Sequence, residues 1–361
     1  MRARIDVNLV LTTGFTLVIG MCGVALATLA HVPLPWMLGP LFATAAVNLS
    51  GLHPFGLRIG MPRITNRIFI PVIAISISSG VTPSFLISLL SWWPSLVAMI
   101  PFVVVLQMAN YMTFRLIARY DRATAFFSAS PGGVAESVLL GEGNGGNPGK
   151  IVLQHSSRVT LAIIVLPFLL TAILHSSYDR SGALATGGGA PFSLWQAALL
   201  TAAAALGAAV ALRFRLPASP MIGPLVLGSI LFGTGITTMT VPPSLLHLAQ
   251  LAIGTMLGCR FREENRRDLL GSMPSAVAAF AVSAAIAATC ALAISATGIA
   301  PASLLFLSFA PGGLSEMSLV AISLGADPVF VAAHHLARII ATVFLSPWIF
   351  SLMDRKKSRE P

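Results

Sequence analysis

Charge is what this sequence most lacks: of 361 residues only 9% are Asp, Glu, Lys or Arg, against 56% that are hydrophobic. A soluble domain carries about 25% charged residues. A chain this apolar, with a mean hydropathy of +0.86, cannot cover its outside with polar groups in water. Acid is scarcer than base, with 12 Asp and Glu against 22 Lys and Arg. Cysteine is nearly absent. Cys22, Cys259 and Cys290 each fall inside an apolar run and match no disulfide or metal spacing, so they read as small packing residues. There is no phosphate loop, no Gly-x-Ser-x-Gly elbow and no metal-ligand cluster of useful spacing. The adjacent His334-His335 has no carboxylates at the usual distance. These absences point away from a soluble globular protein, an enzyme or a cofactor protein, and toward an all-α polytopic membrane protein.

The formal charge of +10 does not lead to nucleic acid either. Basic residues gather in short clusters between apolar runs, as the positive-inside rule requires, and no direct nucleic-acid partner is expected. The tail Asp354-Arg355-Lys356-Lys357-Ser358-Arg359 reads as a cytoplasmic stop signal. The stretch after Met1-Arg2-Ala3-Arg4 runs to about 24 residues, long for the apolar part of a signal peptide, and is read as a helix.

The chain is a duplication. Residues 128–140, SASPGGVAESVLL, answer residues 308–320, SFAPGGLSEMSLV. A shift of 180 pairs Pro131 with Pro311, Gly132 with Gly312, Gly133 with Gly313, Glu136 with Glu316, His155 with His335 and Arg158 with Arg338. A shift of 184 pairs LPWMLGPL at 34–41 with ASPMIGPL at 218–225. The expected division is therefore 1–180 and 181–361. The apolar runs predict five spans per half, near 8–30, 36–52, 65–81, 95–117 and 151–174, then 193–212, 219–236, 244–259, 274–297 and 329–352.

Segments 122–141 and 302–324 are broken at their middle by Pro-Gly-Gly, and charge decides their path. If they re-enter and leave on one side, Arg2/Arg4, Arg58/Arg63/Arg67, Arg115/Arg119/Arg122, Arg213/Arg215, the cluster at 260–267 and the tail all face the cytoplasm. If they cross, Arg213/Arg215 and the 260–267 cluster move outside, against the rule. Re-entrance is the better reading. It makes about ten spans in two inverted five-helix repeats, with both termini in the cytoplasm of a bacterial inner membrane. Broken helices that meet near mid-membrane are the architecture of many secondary transporters.

The candidate solute or ion site is the two breaks and what faces them: Ser130, Pro131, Gly132, Gly133, Glu136, His155 and Arg158, with Pro311, Gly312, Gly313, Glu316, His335 and Arg338. A half-helix restarting after Pro-Gly-Gly presents free N–H groups, a natural anion site. Each glutamate either caps its own helix or pairs with an arginine, or else binds a cation or shuttles a proton. His155/Arg158 and His335/Arg338 are i, i+3 pairs on one helix face. Each arginine either snorkels to the interface or joins a network with the glutamates and holds a substrate carboxylate. Gly39-Pro40 and Gly223-Pro224 are expected helix kinks, and Gln107 and Asn110 interhelical hydrogen-bonding groups.

Two Pro-Gly-Gly-x-x-Glu segments, each followed about 19 residues later by His-x-x-Arg, and two Gly-Pro helices resemble the bacterial membrane AbrB family. That family is marked by the same duplication over nearly the whole chain. The departure is the loop Gly141-Glu142-Gly143-Asn144-Gly145-Gly146-Asn147, richer in glycine than its partner Ser323-Leu324-Gly325-Ala326-Asp327. The resemblance implies a label, either regulator of gene expression or ammonia monooxygenase; the name is shared with a soluble DNA-binding regulator whose fold this chain cannot adopt. The reading favoured here is a secondary transporter or exporter of a small anionic or amphipathic solute, working by alternating access. Its expected partners are the bilayer, the solute, a coupling proton or cation, and optionally another copy of the chain. The alternative is a membrane-embedded regulator without net transport, and an oxygenase is least favoured.

Overall fold

The structure, a computed structural model, describes residues 7–52, 59–62, 64–83, 89–174, 193–261 and 266–357. Arg2, Arg4, Arg58, Arg63, Arg262, the 180/181 boundary and the end of the basic tail lie outside the described residues. Among the described residues the chain is helical throughout, with no strand.

Among the described residues, six helices are long and apolar enough to cross a membrane, three from each half of the sequence. They are α1 (Val7–Leu29), α4 (Trp93–Leu116), α7 (Pro148–Leu174), α8 (Leu194–Arg213), α11 (Arg266–Ser295) and α14 (Pro328–Lys357). The other four predicted spans hold shorter helices: α2 (Pro35–Leu49), α3 (Ile64–Ser78), α9 (Ser219–Gly233) and α10 (Pro243–Gly258). At 15 or 16 residues each reaches about 22–24 Å, short of the ~30 Å hydrocarbon core. The remaining four are the half-helices α5 (Arg122–Ala129), α6 (Val134–Gly143), α12 (Ala302–Phe309) and α13 (Leu314–Ser323).

The chain forms two compact units, and each draws on both sequence halves. The first is Met1–Pro83, Leu166–Asp268 and Leu319–Ala326; the second is Ser84–Val165, Leu269–Ser318 and Asp327–Pro361.

In the first unit α1 packs on α2 and α8 on α9. Gly23 faces Gly39, and Gly207 faces Gly223 at the same places 184 residues on; a Cβ on any of the four would collide with the partner's backbone. Gly39 and Gly223, read from sequence with their prolines as kinks, thus also admit a helix–helix approach that only glycine allows. The turns before α2 and α9 repeat in backbone detail. His31 and Leu34 have φ of 56° and 50°, and Arg215 and Ala218 have φ of 53° and 48°. Val32 N–H donates to Ala27 O, and Leu216 N–H to Ala211 O, both at 2.9 Å. Buried hydroxyls bind the inner helices together: Ser78 Oγ donates to Leu225 O at 2.9 Å, and Thr44 Oγ1 to Thr255 O at 3.2 Å.

The second unit holds α4, α5, α6, α12 and α14, with most of α7 and α11 and the first half of α13. One core cluster joins Phe126 and Phe127 of α5, Ile151 of α7, and Ile349 and Phe350 of α14. The two halves exchange matching hydrogen bonds here. Gln154 Nε2 donates to Ser275 Oγ at 2.9 Å, and His334 Nε2 meets Ser95 Oγ at 2.9 Å. A shift of 180 carries Gln154 to His334 and Ser95 to Ser275.

Candidate functional site at the two helix breaks

Each break follows from local sequence. The N-cap Asp121 accepts from Thr124 N–H at 2.9 Å and starts α5. The helix stops at Ala129 because Ser130 precedes a proline and turns extended, with ψ 127°; Ala310 before Pro311 does the same, with ψ 148°. Gly133, in the left-handed region at φ 63°, then starts α6.

Stopping a helix inside an apolar unit leaves its last carbonyls without partners. Helix α7 supplies them. His155 Nε2 meets Phe127 O at 3.0 Å and Arg158 donates to Ser130 O at 2.6 Å. In the second half, His335 Nε2 meets Leu307 O at 3.2 Å and Arg338 donates to Ala310 O at 2.6 Å. These partners are related residue for residue by the shift of 180. Each arginine also donates to Nδ1 of its histidine, at 3.1 Å for Arg158 and 2.8 Å for Arg338. Nδ1 is therefore the acceptor and Nε2 carries the hydrogen that reaches the carbonyl, which is the neutral imidazole. Arg338 donates a further bond to Gly312 O. Cations on the negative end of a half-helix dipole are well placed.

The arginines do not snorkel: Arg158 is 6% exposed and Arg338 1%. Nor, among the described residues, does either pair with Glu136 or Glu316; the Glu–Arg network weighed from sequence is replaced by an Arg–His clamp on the first half-helix. Both carboxylates are half-buried in the first turns of α6 and α13. Each folds back over the second glycine of its triplet. A Cβ on Gly133 would lie 3.1 Å from Glu136 Oε2, and one on Gly313 would strike Glu316 Oε2. Ser315 Oγ donates to Glu316 Oε2 at 2.8 Å. Ser130 Oγ donates to Gly132 O at 3.0 Å across the first break. Pro131 and Pro311 are buried, and Gly132 packs on Ile339 and Thr342 of α14.

Gln107 and Asn110 bridge helices, Gln107 Nε2 donating to Phe126 O at 3.0 Å and Asn110 Nδ2 to Ser283 Oγ at 2.9 Å. Several buried atoms in this unit are without a hydrogen-bond partner among the described residues: Arg338 Nε, Ser128 Oγ, Ser157 Oγ, Thr160 Oγ1, Asn110 Oδ1 and Gln154 Oε1. Such atoms are ordinarily met by water or a ligand. Most of them lie on the first half, where Ser157 and Thr160 stand in place of Ala337 and Ile340. Sequence reading passed over Gln154, Ser157 and Thr160, although polar residues every third position in an apolar span were the available signal. Among the described residues no group of three His, Cys, Asp or Glu is placed to hold a metal ion. His334, beside the clamp, is engaged by Phe330 O at 2.8 Å and by Ser95.

The family model described as "Transition state regulatory protein AbrB" matches residues 52–354. The chain is similar to a Bacillus subtilis (strain 168) protein named "Uncharacterized protein YhjN", 26% identical over 96% of this chain and 94% of that one. It is also similar to an Escherichia coli (strain K12) protein named "Putative regulator AbrB", 23% identical over 88% of this chain and 90% of that one.

Proposed function

The chain belongs to the AbrB family, and within it we propose a secondary transporter that moves a small anionic or amphipathic solute by alternating access. The observation that carries this reading is the pair of buried arginines without a carboxylate partner among the described residues. A buried cation is costly unless paired, and an ionisable group inside a membrane protein marks a solute path more often than a packing position. Carbonyl acceptors meet part of that cost; a bound anion would meet the rest. Arg338 Nε, buried and without a partner among the described residues, is the donor available to it. Glu136 and Glu316, at the N-terminal ends of the second half-helices, are then the coupling or gating groups. They fold back over Gly133 and Gly313, beside the N-terminal ends where an anion would sit.

The reading also takes the two repeats as inverted, with about ten spans in the inner membrane and both termini cytoplasmic. The charge clusters support it, and α2, α3, α9 and α10, too short to span alone, would need their neighbours or a locally thinner bilayer to cross. No metal or cofactor has a role in it. The oxygenase label fits poorly, because the histidines beside the breaks are spent on carbonyls and arginines and no metal-ligand group accompanies them among the described residues.

A regulator without net transport is the second reading, favoured by the printed name of the E. coli relative. The test is a thermal-shift screen of purified protein against small carboxylates, phosphates and neutral isosteres, followed by counterflow of every stabilising compound. Anion-specific stabilisation with counterflow supports the transporter. Stabilisation without flux, together with a protein partner captured by crosslinking, supports the regulator.

A further inference from the structure

Away from the breaks, the first unit carries an open cleft of about 380 Å³ between α3, α8 and the start of α10. Its floor is a packed apolar cluster that includes Ile75, Leu200 and Met239. Along α8 the lining runs from Ala197 to Ala208, about 16 Å at 1.5 Å per residue. Small alanines there leave the width open. Thr201 turns its hydroxyl onto Ala197 O at 2.8 Å, so it adds no free donor to the wall. The single charged lining residue is Arg67, exposed in the first turn of α3 and unpaired among the described residues.

The cleft is therefore shaped and charged for an amphiphile: a long apolar trough with one cation at its rim. Ala208, also in its wall, is five residues before Arg213 in the last turn of α8, so further base lies beyond the trough on that helix. We propose that this cleft binds an anionic phospholipid, its acyl chain along α8 and its phosphate on Arg67. The proposal rests on the chain lying in a bilayer, and not on the transport reading. Basic positions at the edge of clefts between membrane helices hold lipid phosphates in this way.

The experiment titrates phosphatidylglycerol or phosphatidylcholine into delipidated, detergent-solubilised full-length protein and follows thermal unfolding and native mass. Phosphatidylglycerol should stabilise the protein more than phosphatidylcholine and be retained as a bound adduct. Arg67→Gln should weaken phosphatidylglycerol about fivefold, toward the phosphatidylcholine value, and Arg67→Lys should restore most of the preference. Ala204→Phe, which fills the trough, should lose the adduct of either lipid. Equal stabilisation by the two lipids in the parent protein would overturn the assignment, as would full phosphatidylglycerol preference in Arg67→Gln. So would a dimer that Ala204→Phe dissociates with no change in lipid binding, since the cleft would then be an interface between copies.

Discussion

Arg338 and Arg158 hold the same kind of partner but not the same number. Arg338 reaches Ala310 O, Gly312 O and His335, whereas Arg158 reaches Ser130 O and His155. A hydrogen bond from a charged donor contributes about 1.5–3 kcal/mol. Arg338→Gln is therefore expected to lower stability by about that much more than Arg158→Gln, read as the difference in denaturation midpoint of the purified variants. Equal losses would mean that the Gly312 contact contributes nothing. Asp121 makes a second, smaller case. Burial pushes its carboxyl up, but hydrogen bonds from Thr124 and from the backbone at Asp121 and Ala123 together outweigh this and hold it below its ordinary value. A lowered carboxyl stabilises the fold at pH above the ordinary carboxylate range, and that contribution is lost as pH falls through the lower folded value. Asp121→Ala should then cost about 1 kcal/mol near neutrality, with a gap to the parent that narrows in acid. A gap constant with pH would show that the side chain acts by shape alone.

At the scale of elements, glycine decides where helices touch. Gly23→Ala or Gly223→Ala drives a methyl into a facing backbone and is expected to cost about 1–3 kcal/mol or more, as overpacking does. Gly14, in the same helix as Gly23, has open space where a Cβ would go. Gly14→Ala should be neutral or stabilise by about 0.5–1 kcal/mol, and thermal unfolding of the three variants separates the two roles. This contrast marks the limit of what sequence makes legible. The breaks at Pro131-Gly132-Gly133 and Pro311-Gly312-Gly313 could be placed in advance, because proline and its preceding residue restrict the backbone locally. That Gly23 meets Gly39 could not, because a glycine inside an apolar run carries no mark of the backbone that approaches it. The arginines stand between these cases. Their repeat and their helix face with the histidines were readable at i, i+3, but their partners are carbonyls, which every residue has, and so no side chain announced them.

For the whole molecule, the halves match not only in sequence but in hydrogen bonds, turn dihedrals and glycine contacts, within each unit. An inverted arrangement would place the turns after α6 and α13 on opposite faces of the membrane. With Cys22, Cys259 and Cys290 replaced, Gly143→Cys should react with an impermeant thiol reagent from the cytoplasmic side and Ala326→Cys from the outside. Labelling of both from one side would mean the repeats are parallel. The central claim is that a solute anion binds at the buried arginines and that Glu136 and Glu316 couple its movement. Its most direct measurement is flux of a stabilising anion into proteoliposomes holding the parent protein or the Glu136→Gln/Glu316→Gln double variant, each shown to be folded by its unfolding transition. The account predicts flux in the parent and none in the folded double variant; full transport by that variant would contradict it.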